Sequence, residues 1–194
     1  DTVTYQVCDP TPVCITDTLF VTVLPVNDPP SQGNESMGPI VEDTSTPTTS
    51  PILTANNIDP DGTTITVTAI VSNTGGGTVV INPGDTTVNY TPALNFNGID
   101  TVIYTVCDAG TPLPIICLND TLFVTVNPVN DAPSQGNETM GPIAEDTPTA
   151  TTSPNLTANN IDPDGTTTTV TTIVSSSGGG TITITGGGTT IDYT

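Results

Sequence analysis

The chain has 194 residues with no lysine, arginine or histidine and 20 aspartates plus glutamates, a formal charge of -20. Without a basic side chain its carboxylates must be solvated, hydrogen-bonded or held by cations, and their mutual repulsion works against a compact state. This composition excludes nucleic acid as a partner, because phosphate contacts need Lys or Arg, and it removes the usual general bases and Schiff-base nucleophiles of enzymes. The paired-carboxylate route remains, but the acidic residues fall in turns and linkers, so no enzyme is expected.

In chain order, the first strand signal is Thr2-Val3-Thr4-Tyr5-Gln6-Val7, ending at Cys8. Cys8 and Cys14, like Cys107 and Cys117, form a close pair without metal-type spacing or histidine, so two disulfides in an oxidising, extracellular setting are expected. Each would close a hairpin between two strands, contributing on the order of 2–3 kcal/mol through the unfolded chain. Leu19-Phe20-Val21-Thr22-Val23 leads into Pro25-Val26-Asn27-Asp28-Pro29-Pro30. Prolines stop a strand, and a carboxylate beside an amide in a stiff, proline-framed joint suits a hard cation. The joint reads as a hinge that a metal can lock.

Seven short strands are predicted next, over Ile40-Val41, Ile52 to Thr54, Ile65 to Val71, Thr78 to Ile81, Thr86 to Tyr90, Thr101 to Val106 and Thr121 to Val126. Ile65, Val67, Ala69 and Val71 are expected to share one face. Turns come from Asp59-Pro60-Asp61-Gly62, from Gly75 to Gly77 and from Asn82-Pro83-Gly84-Asp85. Threonine at the polar positions favours strand over helix. The expected fold is all-β, tandem seven-stranded immunoglobulin-like sandwiches. Tyr90 is expected to pin a strand crossover through its hydroxyl. No apolar run spans a bilayer and no signal peptide opens the chain, so membrane insertion is not expected and the fragment reads as soluble, either mature or excised.

The chain repeats itself. Asp1 to Asp9 matches Asp100 to Asp108 at an offset of 99. After the cysteine loop the offset is 103 to the end, pairing Asn27-Asp28 with Asn130-Asp131, Glu42-Asp43 with Glu145-Asp146, Asp59 and Asp61 with Asp162 and Asp164, and Tyr90 with Tyr193. A fixed period sets the architecture. Residues 1–28 are the C-terminal strands of one repeat, 29–131 a complete repeat, and 132–194 the N-terminal strands of a third. Two arrangements suit such open ends: an excerpt of a longer tandem array, or a polymer in which one chain's strands complete its neighbour's open domain.

The residues from Glu42-Asp43-Thr44, through Ala55 to Gly62, Tyr90 to Gly98 and Tyr104 to Asp108, to Pro128-Val129-Asn130-Asp131-Ala132-Pro133 resemble the bacterial cadherin-like, VCBS-type repeats of giant extracellular surface proteins. The resemblance covers essentially the whole unit. It implies a sandwich fold, an extracellular or cell-surface location, and calcium at the joints. In that topology Asn27 and Asp28 face Asp59, Asp61 and Asp108 at the first joint; Asn130 and Asp131 face Asp162 and Asp164 at the second, with Glu42 from the lower end of the middle repeat. The same Asp-Pro-Asp-Gly loops also serve as plain turns. Thr63 and Thr166 stand where such repeats carry a further acidic residue, and the cysteine pairs are not part of the usual pattern.

The expected function is a structural repeat segment of an extracellular filament or stalk, stiffened by calcium and disulfides, with neighbouring repeats or copies of itself as partners. The alternative is an adhesin module that binds carbohydrate, such as cell-surface glycans, or a partner cell surface. Near-copies with few aromatics (4 %) favour repetition itself as the role.

Overall fold

The computed structural model describes residues 1–110 and 112–194, and among them every regular element is a strand. Strands β1 (Thr2–Cys8) and β2 (Cys14–Phe20) form an antiparallel hairpin with Cys8 opposite Cys14. The middle repeat holds seven strands: β3 (Glu35–Val41), β4 (Thr48–Thr49), β5 (Thr66–Asn73), β6 (Thr78–Ile81), β7 (Val88–Thr91), β8 (Gly98–Cys107) and β9 (Cys117–Asn127). They form a four-stranded sheet, β3-β9-β8-β5, and a three-stranded sheet, β4-β7-β6. In the third repeat, β10 (Thr151–Thr152), β11 (Ile182–Thr185) and β12 (Thr190–Tyr193) form a sheet ordered β10-β12-β11. By contacts the chain divides into two compact units, one of residues 1–37, 47–91 and 100–124, the other of 38–46, 92–99 and 125–194.

The period-2 pattern explains the central strands. Along β8, Asp100, Val102, Tyr104 and Val106 are buried, and along β9, Asp120, Leu122, Val124 and Val126 are, while the residues between them are half-buried or exposed. Each buried Val or Leu contributes roughly 1.5–3 kcal/mol relative to exposure. Two expectations fail. Residues 52–54 are not a strand: the edge strand is Thr48–Thr49, and Leu53 begins a turn, fully buried, its amide bonded to the Thr86 carbonyl at 2.8 Å. Ile65, Val67, Ala69 and Val71 do not share a face either. Irregularities between Val67 and Ala69 and between Ile70 and Ser72 shift the pleat, leaving Val67 buried but Ala69 and Val71 exposed.

Carboxylates are built into the core as tie points. Asp100 accepts hydrogen bonds from the Thr74 amide at 2.8 Å, the Gly75 amide at 2.7 Å and the Tyr90 hydroxyl at 2.7 Å. Tyr90 thus pins the turn through a carboxylate. Its ring also explains Gly77, where a Cβ would lie 2.6 Å from the Tyr90 hydroxyl oxygen. Burial, with the Asp100 bond and charge, pushes the Tyr90 hydroxyl far up, so it stays a donor. The Tyr104 hydroxyl contacts Glu35 and lies 3.1 Å from the Leu53 carbonyl. Asp120 accepts from the Gly33 amide at 2.8 Å and the Asn57 side chain at 2.9 Å.

A hydroxyl has one proton, so Tyr104 cannot donate fully to both Glu35 and Leu53. A protonated Glu35 removes the conflict by donating to Tyr104. Burial raises the Glu35 carboxyl above its ordinary 4.5, and the Asp120 charge adds to this against the Tyr104 bond. A raised folded-state value favours folding fully below pH 4.5 and loses that contribution as pH rises through it. Melting temperature scanned from about pH 4 to 7 is therefore expected to fall more steeply for the native chain than for Glu35→Gln; parallel curves would show that Glu35 does not titrate anomalously. Tyr90→Phe is expected to cost about 1–3 kcal/mol in denaturant unfolding, since it leaves an Asp100 oxygen buried and short of a partner.

Candidate metal centre

The first joint is assembled by the Pro25–Pro30 segment, the Asp59–Gly62 turn and the loop after β8. Asn27 is buried; its side-chain nitrogen donates to Asp108 Oδ2 at 2.8 Å and to the Pro114 carbonyl at 2.9 Å, while its Oδ1 is buried without a partner. The Asp28 amide donates to Asp61 Oδ2 at 2.6 Å, although the Asp28 side chain is exposed. Within the turn, the Asp61 amide donates to Asp59 Oδ1 at 2.8 Å and the Gly62 amide to the Asp59 carbonyl at 3.0 Å. Thr63 donates its hydroxyl to Asp59 Oδ2. The residue that replaces the usual acidic one thus bonds the carboxylate beside it.

At the second joint the carboxylates converge. Ligand oxygens of Glu42, Asp43 and Asp131 all lie within 4.8 Å of one another, the one such acidic trio among the described residues. Glu42 is buried at the end of the strand segment it follows and accepts the Val129 amide at 2.8 Å. Asp43 sits at φ 60°, in the left-handed region where Asp is among the few residues tolerated, and accepts the Asn95 amide at 2.9 Å. The Asp131 amide donates to Asp164 Oδ2 at 2.6 Å, repeating the Asp28–Asp61 bond of the first joint. The Asp164 amide donates to Asp162 Oδ1 at 2.9 Å, and Thr166 donates its hydroxyl to Asp162. Asn130 is exposed, its side chain donating to the Asp131 carbonyl at 3.1 Å. Asp131 Oδ2 is buried and unpartnered.

The expected residues are therefore gathered at two places, with Asn27, Asp28, Asp61 and Asp108 linked directly and Asp59 through Asp61. At the second, Glu42, Asp131, Asp164 and Asp162 form a chain of contacts, while the Asn130 side chain turns away. Asp43 was missed as a candidate. Its signal was present, because Glu42-Asp43 recurs as Glu145-Asp146, and Asp146 has the same backbone twist, φ 57°. The disulfides form as expected, Cys8–Cys14 and Cys107–Cys117, each closing a hairpin.

Electrostatics separates the two places. Burial works against the charge on Asp108, but bonds from the Ile116 amide, the Asn27 side chain and the Gly110 amide outweigh it and hold the carboxyl below its ordinary 3.8. Asp131 goes the other way: burial raises it, and the charges of Asp43, Asp164 and Glu42 add to the effect. Three oxygen donors, one with an orphaned buried atom and no cationic side chain anywhere in the chain, fit a hard cation such as calcium. Asp108 stabilises the fold above pH 3.8 and loses this as pH falls through its lowered value. Protonated Asp131 favours folding below pH 3.8 and loses this as pH rises through its raised value. Carboxyl-carbon NMR titration without divalent ions is expected to place the two midpoints on opposite sides of 3.8, with Asp43→Asn lowering that of Asp131. An unmoved Asp131 midpoint would show that Asp43 does not act on it.

A family model described as "Cadherin-like domain" matches residues 26–113 and 129–194. Among solved structures, the cis-dimer structure of domains EC3-6 of protocadherin gammaB7 is similar with a TM-score of 0.54 and 15 % identity, over 99 % of this chain and 49 % of that one. Extracellular cadherin domains 3–6 of protocadherin gamma B2 give 0.47 at 15 % identity, over 93 % and 46 %. An endo-fucoidan hydrolase of glycoside hydrolase family 107 gives 0.41 at 15 % identity, over 100 % and 29 %. The chain thus spans about half the length of the protocadherin chains. No curated protein sequence matches it. Among the described residues no helix is long and apolar enough to cross a membrane.

Proposed function

Because the chain belongs to the cadherin-like domain family, we propose that it is a structural repeat segment of an extracellular filament or surface stalk, with calcium locking its joints. The observation that carries this reading is the convergence of Glu42, Asp43 and Asp131 in a chain with no cationic side chain. Calcium there supplies the missing positive charge and takes up the Asp131 oxygen that nothing else satisfies.

The protein's own part is to aim the ligands. Glu42 holds the Val129 amide, which fixes the linker beside the strand end, and Asp164 holds the Asp131 amide, which fixes the same linker to the Asp162–Gly165 turn. The linker is thus tied on both sides by hydrogen bonds to carboxylates. The first joint carries the same linker-to-turn bond, and the buried, unpartnered Asn27 Oδ1 is its open donor. Two hairpin disulfides suit an oxidising, extracellular setting. A stalk needs many equivalent spacers, and near-copies provide them.

Thermal or denaturant unfolding of the full chain in 10 mM calcium and in EDTA tests this. Extracellular sites bind at roughly 0.1–1 mM, so each site should add about 1.4–2.7 kcal/mol by mass action. Asp43→Asn should remove most of the gain at the second joint while leaving stability in EDTA unchanged or higher, because it relieves repulsion on Asp131. Equal stability in both buffers would reduce the joints to solvated turns and end the calcium reading.

A further inference from the structure

We propose that the Cys107–Cys117 disulfide is a redox control on the first joint: a dithiol reductant that opens it frees the loop of residues 108–116 and so unlocks the Pro25–Pro30 linker from the middle repeat. The proposal rests on the filament reading for its setting and adds a regulation to that joint. The contacts it breaks are direct hydrogen bonds, so it needs no calcium.

The loop is where this joint is fastened. Asp108, next to Cys107, divides its carboxylate between two tasks. Its Oδ1 accepts the Gly110 amide at 2.7 Å and the Ile116 amide at 3.0 Å, closing the loop on itself, while its Oδ2 accepts the Asn27 side chain at 2.8 Å. Asn27 gives its other side-chain proton to the Pro114 carbonyl at 2.9 Å, so both of these hydrogen bonds end in the loop. The Ala109 amide donates to Thr63 Oγ1 at 3.3 Å, and Thr63 in turn holds Asp59 in the Asp59–Gly62 turn. Linker and turn are thus both secured to one loop.

The disulfide sets the shape of that loop. Cys107 and Cys117 flank Asp108 and Ile116, whose backbones also pair, the Asp108 amide donating to the Ile116 carbonyl at 3.1 Å. The cross-link therefore fixes the chain on both sides of the contact that aims the carboxylate. Gly110 leaves no slack, since a Cβ there would stand 2.6 Å from Ile115 Cγ1. Asp9 uses the same device after Cys8, accepting the Thr11 and Val13 amides at 2.9 Å and 3.0 Å. The cysteines of the middle repeat are 10 residues apart rather than 6, and it is this longer loop that presents a carbonyl to Asn27. Opening a cross-link returns conformational freedom to the segment it closed, and the joint loses a preformed partner.

The bond is also open to exchange. Cys117 is exposed while Cys107 is buried, so an incoming thiolate meets the Cys117 sulfur. A mixed disulfide forms there and Cys107 leaves as a thiolate, with the Thr68 hydroxyl 3.3 Å from its sulfur and able to donate to it. The second thiol of the reductant then displaces Cys117. Two electrons and two protons pass from the dithiol, which becomes a cyclic disulfide, to the two cysteines, and a disulfide oxidant reverses the exchange. The second joint is a control within the same chain. Glu42 and Asp164 hold the Val129 and Asp131 amides there, and neither residue lies in a disulfide-closed loop.

NMR-detected amide hydrogen exchange of the full chain tests the control, with and without dithiothreitol, in EDTA and again in calcium. The native chain is compared with Cys8→Ser/Cys14→Ser, which keeps only the Cys107–Cys117 bond. In both, reduction in EDTA is expected to speed exchange at the Asp28 and Ser31 amides by about tenfold or more, while Val129, Asp131 and strand β7 change by less than about twofold. Reoxidation should restore the slow rate. Asn27→Ala with the disulfide intact should speed the linker alike and leave the Gly110 and Ile116 amides protected. Cys107→Ser/Cys117→Ser should exchange fast at the linker whether or not the dithiol is present. A disulfide that resists dithiothreitol in the folded chain, or a linker no faster once it is reduced, would overturn the proposal. So would an acceleration shared equally by β7 and the second joint, which would make the bond a general staple. Linker release in EDTA with no calcium effect on unfolding would end the calcium reading alone; a calcium-stabilised chain whose linker ignores reduction would end the redox control alone.

Discussion

Everything in this molecule is arranged around the absence of a positive side chain. Burying a carboxylate without a partner is expensive, and here no guanidinium, ammonium or imidazolium can supply one. Two solutions remain, hydrogen-bond donors or an outside cation. Asp100, Asp108 and Asp120 take the first, each drawing on backbone amides and a hydroxyl or amide side chain. Each thereby fastens a turn or loop to a central strand, so a group that is costly to bury becomes a point of registration. Glu42, Asp43 and Asp131 have too few donors between them, with two amides and one long contact from Asn97 shared among three carboxylates. The contrast between Asp108, held below its ordinary value, and Asp131, pushed above it, follows directly from that shortage.

This division shows why the sites were only partly legible in the sequence. The repeat offset brought out the joints, since Asn-Asp framed by proline and Asp-Pro-Asp-Gly recur together. Which carboxylates are satisfied internally could not be read that way. Asp59 and Asp162 look like open ligands in the sequence, yet each receives an amide and a threonine hydroxyl from its own turn. Asp43 looks like the tail of a conventional Glu-Asp pair, and only its left-handed backbone and the Asn95 amide aim it at Asp131.

The fold was legible where alternation is strict and obscure where it is interrupted. β8 and β9 follow the period-2 rule over most of their length. In β5 the irregularities at Val67/Ala69 and Ile70/Ser72 change which residues point inwards, and a bulge has no sequence signature beyond the pattern it breaks. Leu53 misled for a related reason. A buried apolar residue beside proline resembles a short strand, but its amide reaches Thr86 from a turn, its carbonyl faces the Tyr104 hydroxyl, and its side chain is fully buried.

The third repeat adds a physical lesson about what makes a strand. Residues 138–144 and 169–176 have nearly the same composition as β3 and β5 but lie in no strand, whereas β10, β11 and β12, whose partners lie within the repeat, form the ladder their counterparts form. Threonine-rich segments have modest intrinsic strand preference, and the preference is realised by cross-strand packing. The central hairpin is therefore the element on which half of each sandwich depends. It is also a local element, closed by a disulfide, with β1 paired to β2 over its whole length. A preformed hairpin loses little further conformational freedom when it docks, which lowers the entropic cost of completing a sandwich. The cysteine pairs, which the sheet itself does not require, fit that requirement: they hold the strand pair in register before there is a core to do so.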